Sequence, residues 1–264
     1  MNRQRTRRLS GVVFDFDDTL ADSTGVHERV WPAVIAVLCR HVPALDTAAF
    51  LERYDGLMEA HYERLLHGET DFTGFRRERL AAAIAPWAAV DDRLFRDYQA
   101  VKARVIEDLQ LHGDAVATIR HLRASGIRVG LLTNGPSELQ RRKLAVTGIE
   151  AELDVVGISG ELGAHKPTVE AFEAVLELLG CDADEAAMVG DSLANDVGGA
   201  LAAGFARVVW VSSAEVEPPS GAQRVRRLAE VPAVLDIGMD TAVRRDGRLV
   251  EVDGDAGTGR TSAE

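Results

Sequence analysis

Cysteine is scarce in this sequence: Cys39 and Cys181 are the only two in 264 residues. They lie far apart and lack metal-ligand spacing, so we expect free thiols in a reducing compartment rather than a disulfide framework. Long apolar runs are also missing, and the basic first residues do not lead into an apolar signal segment. The sequence therefore predicts a cytoplasmic protein that does not enter a membrane.

Positive charge is in deficit, with 30 lysines and arginines against 42 acidic residues and a formal net charge of −12. Non-specific nucleic-acid binding needs a basic surface, so that class of function is disfavoured. An anionic substrate is still possible, because a metal ion can reverse the field inside one cleft. We expect a small-molecule partner and a monomer or homodimer.

The most informative segment is the apolar run Val12 to Phe14, which leads directly into three aspartates, Asp15, Asp17 and Asp18. The β-branched run predicts a buried strand. Carboxylates crowded at the end of a strand raise each other's pKa unless a cation lies among them, which favours a divalent metal site. A solvated acidic turn is the alternative that this segment alone leaves open.

Residues 22–109 contain no convincing strand pattern. Apolar residues recur there at helical spacing, and turn signals at Pro43, Gly68 and Pro86 divide the segment. We predict an insert of about four helices. Polar side chains on this insert are interpreted as a solvated helix face; they are His61, Tyr62, Arg64, Arg76 and Arg77.

From Gly113 onward, strand and helix patterns alternate, which predicts a parallel sheet covered on both faces. A terminal helix over 225–235 is made doubtful by Pro232. The fold class is therefore α/β, a Rossmann-like core of residues 9–21 and 110–235, with the helical insert at 22–109 and a partly disordered tail at 236–264. The predicted strands cover 127–133, 153–157, 186–189 and 206–211, and the predicted helices cover 114–125, 137–147, 168–179 and 193–203.

Ligands of open α/β sheets bind beyond the carboxyl ends of the strands. Thr133 and Asn134 end one predicted strand, Lys166 precedes a helix, and Asp191 follows another strand. Taken alone, these features are an ordinary turn, a solvated lysine and a helix N-cap. Together with the aspartates after the first strand, they form a complementary set of polar groups at one edge of the sheet.

This set suits phosphoryl transfer, in which catalysis is mostly positioning and charge neutralisation. A metal held by Asp15 and Asp191 would offset their repulsion, and Lys166 would add a fixed positive charge. Asp15 and Asp17 allow a division of labour, in which one attacks phosphorus and the other handles the proton of the leaving group.

Four short motifs occur in order: Asp-x-Asp-x-Thr from Asp15 to Thr19, then Thr133, Lys166 and Gly-Asp-x-x-x-x-Asp from Gly190 to Asp196. In this combination the chain resembles the haloacid dehalogenase superfamily over roughly residues 10–211. The helical insert resembles the α-helical cap of the first type found in that family.

The resemblance implies roles for individual residues. Asp15 would be the nucleophile that forms an aspartyl-phosphate, and Asp17 the general acid and then the general base. Thr133 and Asn134 would bind the phosphoryl oxygens, and Lys166 would steady Asp15 and the transferring group.

The resemblance also implies Mg²⁺ as the cofactor. Its ligands would be Asp15, the main-chain carbonyl of Asp17, and Asp191, with Asp196 at or just outside the first coordination shell. The cap would close over the substrate, exclude water and supply specificity.

Asp17 decides between activities, because dehalogenases of this family lack that second aspartate. Its presence favours hydrolysis of a phosphomonoester over a haloacid dehalogenase-like reaction. A phosphomutase of the same family is the nearest rival, and a non-catalytic binding module is a further alternative. Phosphonate-cleaving relatives use a lysine of the cap; the only lysine of the insert, Lys102, is interpreted as a surface lysine whose stem packs along the helix.

The segment Leu131 to Pro136, with Gln140 and Lys143, is similar to the acylneuraminate-9-phosphatase and pyrimidine 5′-nucleotidase branch of the family. On that similarity a nucleoside monophosphate or a sugar phosphate ranks first as substrate, and phosphoglycolate next.

Overall fold

The computed structural model describes residues 8–66 and 68–237. Its sheet has six strands in the order β3-β2-β1-β4-β5-β6, and every pair is parallel. The predicted α/β class with a Rossmann-like parallel sheet is confirmed. The strands are β1 (Gly11–Phe14), β2 (Arg128–Thr133), β3 (Val155–Ile158), β4 (Ala186–Gly190), β5 (Arg207–Val211) and β6 (Ala222–Val225).

Strand β1 lies at the centre of the sheet between β2 and β4, with Val12 opposite Val129 on one side and Ala187 on the other. All four residues of β1 are buried. A strand covered on both faces needs a continuous apolar run rather than alternation, which explains the Val-Val-Phe sequence. Polar residues begin only where this strand ends.

The described part of the insert, residues 22–66 and 68–109, contributes no strand to the sheet. Its helices are α1 (Ser23–His41), α2 (Thr47–Gly56), α3 (Met58–Leu66), α4 (Phe72–Ile84) and α5 (Asp92–Glu107), so the prediction of about four helices falls one short. The apolar stripe from Phe50 to Leu65 is divided at Leu57, where one helix ends and the next begins. Aspartates accept backbone N–H bonds at the first turns of α1, α2, α4 and α5, which accounts for the start of each helix.

Three helices of the βα alternation lie close to their predicted positions; they are α6 (Ala115–Ala124), α7 (Ser137–Thr147) and α9 (Val169–Leu179). The short helix α8 (Ser159–Leu162) was not predicted, and α10 (Gly199–Ala202) covers only part of a predicted helix. Gly148 and Gly180 end α7 and α9 in the left-handed conformation, as their place in the sequence predicts. The predicted helix over 193–203 differs: its first part, Leu193–Gly198, is a π-helix, and only the second part is α10.

The predicted terminal helix over 225–235 is wrong for most of its length. Strand β6 pairs with β5 and ends at Val225, and only Val231–Val234 forms an α-helix, α11. Pro232 lies in the first turn of α11, where the missing N–H leaves no intrahelical bond unmade. The strand was missed because Ala222–Val225 is short and follows a proline-rich loop.

Two apolar clusters cover the two faces of the sheet. One joins Val12 and Phe14 to the α1–α5 segment, including Val30 and Tyr98. The other packs Val13 against α9 and α10. No helix in the two described ranges is long and apolar enough to cross a bilayer. The tail expected to be partly disordered lies outside the described residues, apart from its first two.

Candidate active site

Three neighbouring strands bring the predicted site residues to one edge of the sheet. Asp15 directly follows β1, Thr133 is the last residue of β2, and Asp191 directly follows β4. Because β2, β1 and β4 are adjacent and parallel, their carboxyl ends lie side by side. The order of the strands reverses at β1, and such a switch point is the usual ligand site of open α/β sheets.

Lys166 connects two of the buried carboxylates. Its Nζ lies 2.5 Å from Asp15 Oδ1 and 2.6 Å from Asp196 Oδ1, and the exposed fraction of all three residues is 6% or less. Buried ions are stable only when they are paired and hydrogen bonded. Lys166 therefore holds both carboxylates, and the ordinary interpretation of Lys166 as a solvated surface lysine does not apply.

Burial raises the pKa of Asp15 well above its usual range; Lys166 opposes this increase, while Asp196 and Asp17 add to it. Burial lowers the pKa of Lys166, but Asp15 and Asp196 raise it above its usual value overall. The cation thus stays protonated between carboxylates that repel each other. A further positive charge beside Asp15 would relieve the remaining repulsion.

Asp15, Asp191 and Asp196 form a cluster in which one carboxylate oxygen of each lies within 4.8 Å of the others. Burial raises the pKa of Asp191, and Asp196 and Asp18 raise it further. A set of carboxylate oxygens is what Mg²⁺ prefers as ligands, so the donor set fits the predicted metal. Asp196 belongs to this cluster, although Lys166 and the backbone N–H of Ser192 already contact its two oxygens.

Gly190 makes room for Asp196. A Cβ atom at Gly190 would lie 2.4 Å from the carboxyl carbon of Asp196, closer than real Cβ contacts allow. The π-helix that follows β4 carries Asp196 back toward Ser192, where its carboxylate accepts the backbone N–H. The glycine and the widened helical turn together place a carboxylate against the end of the sheet.

The carboxylate of Asp17 lies outside the three-carboxylate cluster and has its own partners. Lys143 Nζ lies 2.7 and 2.9 Å from its two oxygens, Gln140 Nε2 donates to it at 3.0 Å, and the hydroxyl of Ser23 donates to it as well. Burial acts to raise the pKa of Asp17, but Lys143 and the hydrogen bonds from Gln140, Lys143 and Ser23 lower it overall. In this structure Asp17 is therefore an ion-paired carboxylate.

Gln140 and Lys143 were not predicted to contact Asp17. Their spacing did indicate that they act together, because residues three apart on a helix share one face. Both residues belong to α7, which begins shortly after β2, and their side chains reach back over the end of the sheet. The helix that follows Thr133 and Asn134 thus supplies the cation that pairs with Asp17, the ammonium of Lys143.

Thr133 and Asn134 have different hydrogen-bond partners within the protein. Gln140 Nε2 donates to the Thr133 hydroxyl at 2.5 Å. The Asn134 side chain bonds twice to the main chain of Lys166, donating to its carbonyl at 2.8 Å and accepting from its N–H at 2.9 Å. Asn134 therefore fixes the loop that carries Lys166, and the role of Asn134 in phosphate binding stays a prediction.

A cavity of about 230 Å³ lies between the α1–α5 segment and the end of the sheet, and Asp17 and Asn134 line its floor. Lys102 and Arg76 line it from above.

The prediction that Lys102 is a surface lysine is wrong: only 4% of it is exposed, because its helix turns this face toward the cavity. The solvated interpretation also fails for Tyr62 and Arg76, which line the same cavity, whereas Arg64 and Arg77 form exposed ion pairs.

Comparison with known sequences gives the class that this site defines. Residues 9–204 match the sequence model of the haloacid dehalogenase-like hydrolases. The chain belongs to that family, as its four motifs indicate.

Individual relatives are named phosphatases and nucleotidases. The chain is 28% identical to N-acylneuraminate-9-phosphatase of Rattus norvegicus, over 86% of this chain and 94% of the relative. It is 34% identical to ribulose-1,5-bisphosphate 5-phosphatase of Halopiger xanaduensis, over 81% and 90%. It is also 35% identical to pyrimidine 5′-nucleotidase YjjG of Escherichia coli, over 40% and 47%. The similarity to the acylneuraminate-9-phosphatase and pyrimidine 5′-nucleotidase branch is confirmed.

A solved structure agrees with these relatives. The HAD phosphatase of Thermococcus onnurineus superimposes with a TM-score of 0.65 at 28% identity, over 86% of this chain and 98% of that one.

Proposed function

We propose that this protein is a magnesium-dependent phosphatase that hydrolyses a small phosphomonoester through an aspartyl-phosphate on Asp15. One observation carries the proposal: Asp15 is buried against the ammonium of Lys166, inside a three-carboxylate cluster, with a second carboxylate, Asp17, two residues along. A nucleophile, a fixed cation, an acid–base group and metal ligands are the parts that phosphoryl transfer requires.

The first half-reaction transfers the phosphoryl group to the protein. A carboxylate oxygen of Asp15 attacks phosphorus, the P–O bond to the leaving group breaks, and the leaving oxygen takes a proton from Asp17. In the structure Asp17 is deprotonated and paired with Lys143. The approach of an anionic phosphoryl group raises the proton affinity of Asp17 and competes for Lys143, so Asp17 takes up a proton from the solvent before the transfer step, and Lys143 keeps its charge.

The second half-reaction restores Asp15. Asp17 takes a proton from water, the water oxygen attacks phosphorus, and the P–O bond to Asp15 breaks to release phosphate. Thr133 and the main-chain N–H groups around Asn134 face the phosphoryl oxygens in both steps. Lys166 balances the charge on Asp15 throughout.

Asp15, Asp191 and the main-chain carbonyl of Asp17 would hold Mg²⁺, with Asp196 beside them. When bound, the ion neutralises the charge on the phosphoryl oxygens. The cluster of Asp15, Asp191 and Asp196 supports this assignment.

Residues 22–109 act as the cap in this proposal, with the cavity of about 230 Å³ as the leaving-group site. The relatives named above hydrolyse phosphorylated small molecules, as their names state. Sugar phosphates therefore rank beside nucleoside monophosphates, ahead of phosphoglycolate. The cytoplasmic location and the monomeric or homodimeric state remain predictions.

Phosphate release is the direct test. The wild type is incubated with nucleoside monophosphates, sugar phosphates and phosphoglycolate, with Mg²⁺ and again after its removal with EDTA. The Asp15→Asn variant should release no phosphate, because its amide is a poor nucleophile. Asp92→Asn is the matched control. It makes the same Asp-to-Asn change at an exposed residue of α5, one that pairs with Arg77 outside the site.

The outcomes separate the alternatives. Mg²⁺-dependent release that is lost only in Asp15→Asn supports the proposal. Conversion of a sugar phosphate into its isomer without phosphate release identifies a phosphomutase, and halide release from a haloacid identifies a dehalogenase. Binding of phosphomonoesters without any turnover contradicts the proposal and identifies a binding module.

A further inference from the structure

The cavity above Asp17 carries an imbalance of charge. Among the residues that the structure describes, Asp17 is the one carboxylate in its lining, whereas four cationic side chains line it; the cations are Arg76, Arg79, Lys102 and Lys143. Asp17 forms an ion pair with Lys143, so these two charges offset each other. Arg79 donates to the carbonyl of Tyr54 at 2.9 Å and approaches Asp55 at 3.8 Å. Two cations, Arg76 and Lys102, remain to be explained.

Neither Arg76 nor Lys102 forms an ion pair with an acid anywhere in the ranges 8–66 and 68–237. Arg76 donates to the amide oxygen of Gln99 at 3.1 Å, and its guanidinium lies 4.3 Å from the centre of the Phe72 ring. Lys102 Nζ lies 4.7 Å from the centre of the Trp31 ring. A neutral amide and aromatic faces stabilise cations less than a carboxylate does.

Such an arrangement destabilises the folded protein. Burial of a cation without an acidic partner is unfavourable, and proteins normally pair the charge or expose it. Burial, together with the charges of Arg76 and Arg79, lowers the pKa of Lys102 to about 7, and Asp55 opposes this shift only in part. The only lysine of the insert therefore faces the cavity, next to the predicted acid–base residue, in surroundings that disfavour its charge.

We infer that the leaving group of the substrate carries a second anionic group, a carboxylate or a second phosphate, bound by Arg76 and Lys102. The inference rests on the proposed phosphatase function, because it places the phosphoryl group at Asp15 and the rest of the substrate in the cavity. The apolar lining from Phe75 and Leu139 contacts the carbon skeleton. The anion completes the ion pairs that the protein leaves unmade, and its affinity comes from charge-assisted hydrogen bonds.

The size of the cavity limits the leaving group. At about 230 Å³ it lies below the range of about 300–1,000 Å³ usual for drug-sized ligands. The second anion therefore lies only a few bonds from the phosphoryl group. A small phosphorylated acid, such as phosphoglycolate, or a small bisphosphate thus ranks above the nucleoside monophosphates and simple sugar phosphates that the relatives alone favour.

The test uses substrate pairs that differ in one charged group. 3-Phosphoglycerate is compared with glycerol 3-phosphate for the carboxylate, and glycerol 1,3-bisphosphate with glycerol 3-phosphate for the phosphate. The preference is the ratio of kcat/KM within each pair. We expect the wild type to prefer the more anionic member by about tenfold or more in at least one pair, since a charged hydrogen bond contributes that much to binding. The pair with the larger ratio identifies the anion.

Arg76→Gln and Lys102→Met should each lower this ratio by about tenfold, mainly through KM for the anionic member. Arg96→Met is the matched control, because Arg96 is an exposed cation on the same helix as Lys102 and does not line the cavity. An unchanged ratio in both variants overturns the inference. Loss of the ratio in the control as well shows a general effect of net charge, and this also overturns it.

A binding measurement keeps the inference separate from the proposed function. Calorimetric titration of Asp15→Asn with 3-phosphoglycerate, glycerol 3-phosphate and glycerol 1,3-bisphosphate requires no turnover. Tighter binding of the more anionic member, lost with Lys102→Met added, supports the second-anion site even if the wild type releases no phosphate. Equal binding within both pairs contradicts the inference, while phosphate release from glycerol 3-phosphate by the wild type leaves the phosphatase proposal standing.

Discussion

The two charged regions of this molecule are built in opposite ways. At the end of the sheet, Asp15 and Asp196 are paired with Lys166, so the buried charges support one another. In the cavity, Lys102 and Arg76 face aromatic rings and an amide instead. The contrast supports an account in which the proposed reacting groups are already paired within the protein, whereas the cations of the cavity are paired only when an anionic substrate binds.

The largest effect should come from removing the cation shared by the carboxylates. Lys166→Met leaves Asp15 and Asp196 buried without their counter-ion. We expect kcat to fall by at least about 10²–10³-fold and the free energy of unfolding to fall by about 3–5 kcal/mol. Phosphate-release kinetics and urea unfolding measure the two effects. A variant with near wild-type kcat would show that Lys166 is only structural.

A smaller effect should follow from filling the space beside Asp196. In Gly190→Ala the new Cβ meets the Asp196 side chain at 2.4 Å and pushes its carboxylate out of the cluster. We expect a loss of about 1–3 kcal/mol in stability and weaker Mg²⁺ activation. Gly56→Ala is the control, because a Cβ there meets nothing within 4 Å. If Mg²⁺ increases the phosphatase activity of both variants to the same extent, then Asp196 does not contribute to the metal site.

The cavity should show the reverse behaviour, a gain in stability on mutation. Lys102→Met removes the cation that lacks an acidic partner, so we expect the midpoint of thermal unfolding to rise by about 2–4 °C near pH 7. The pKa of Lys102 is about 7 in the folded protein and near 10.5 otherwise. Between these values the unfolded chain binds more protons, so the stability of the wild type increases with pH.

The advantage of Lys102→Met over the wild type should therefore be greatest at or below pH 7 and disappear as the pH approaches 10.5. Differential scanning calorimetry of both proteins from pH 6 to about pH 10 measures this difference. If Lys102→Met is less stable than the wild type at pH 7, the contacts of Lys102, including the one with the Trp31 ring, outweigh the cost of burying its charge, and this part of the account is wrong.

The smallest effect should come from ion pairs outside both regions. Arg120 lies 2.5 Å from Glu152, and 66% of its side chain is exposed. Arg120→Gln should shift the unfolding midpoint by about 2 °C at most and leave kcat/KM unchanged. A large loss of activity in this variant would mean that charges far from the site control catalysis, and the contrast between the two regions would no longer hold.

Most of the candidate site at the carboxyl ends of the strands could be predicted from the sequence, because its residues directly follow segments with a clear strand pattern. Apolar runs mark β1, β2 and β4, and parallel pairing brings the residues that follow them to one edge. Asp15, Thr133 and Asp191 therefore meet wherever such a sheet forms. The partners of Asp17 were less visible, since Lys143 reaches it only through the position of α7 over the sheet.

The cavity could not be predicted in the same way. The pattern around Lys102 is that of an amphipathic helix, and which polar residue on such a helix turns inward depends on how α5 packs against α1 and α4. The short strand β6 escaped detection because its existence depends on pairing with β5 rather than on its own sequence. The π-helix after β4 was also not predicted, because the contact of Asp196 with the backbone N–H of Ser192 does not show in the spacing of apolar residues.

The most direct test of the account is to trap the phosphorylated protein. The wild type is quenched in acid during turnover with Mg²⁺ and a hydrolysed phosphomonoester, and its peptides are weighed by mass spectrometry. We predict one added phosphoryl group on the peptide that contains Asp15, removed by hydroxylamine and missing in Asp15→Asn. Phosphate release without any phosphoryl group on Asp15, or with that group on another residue, would contradict the central claim that Asp15 is the nucleophile.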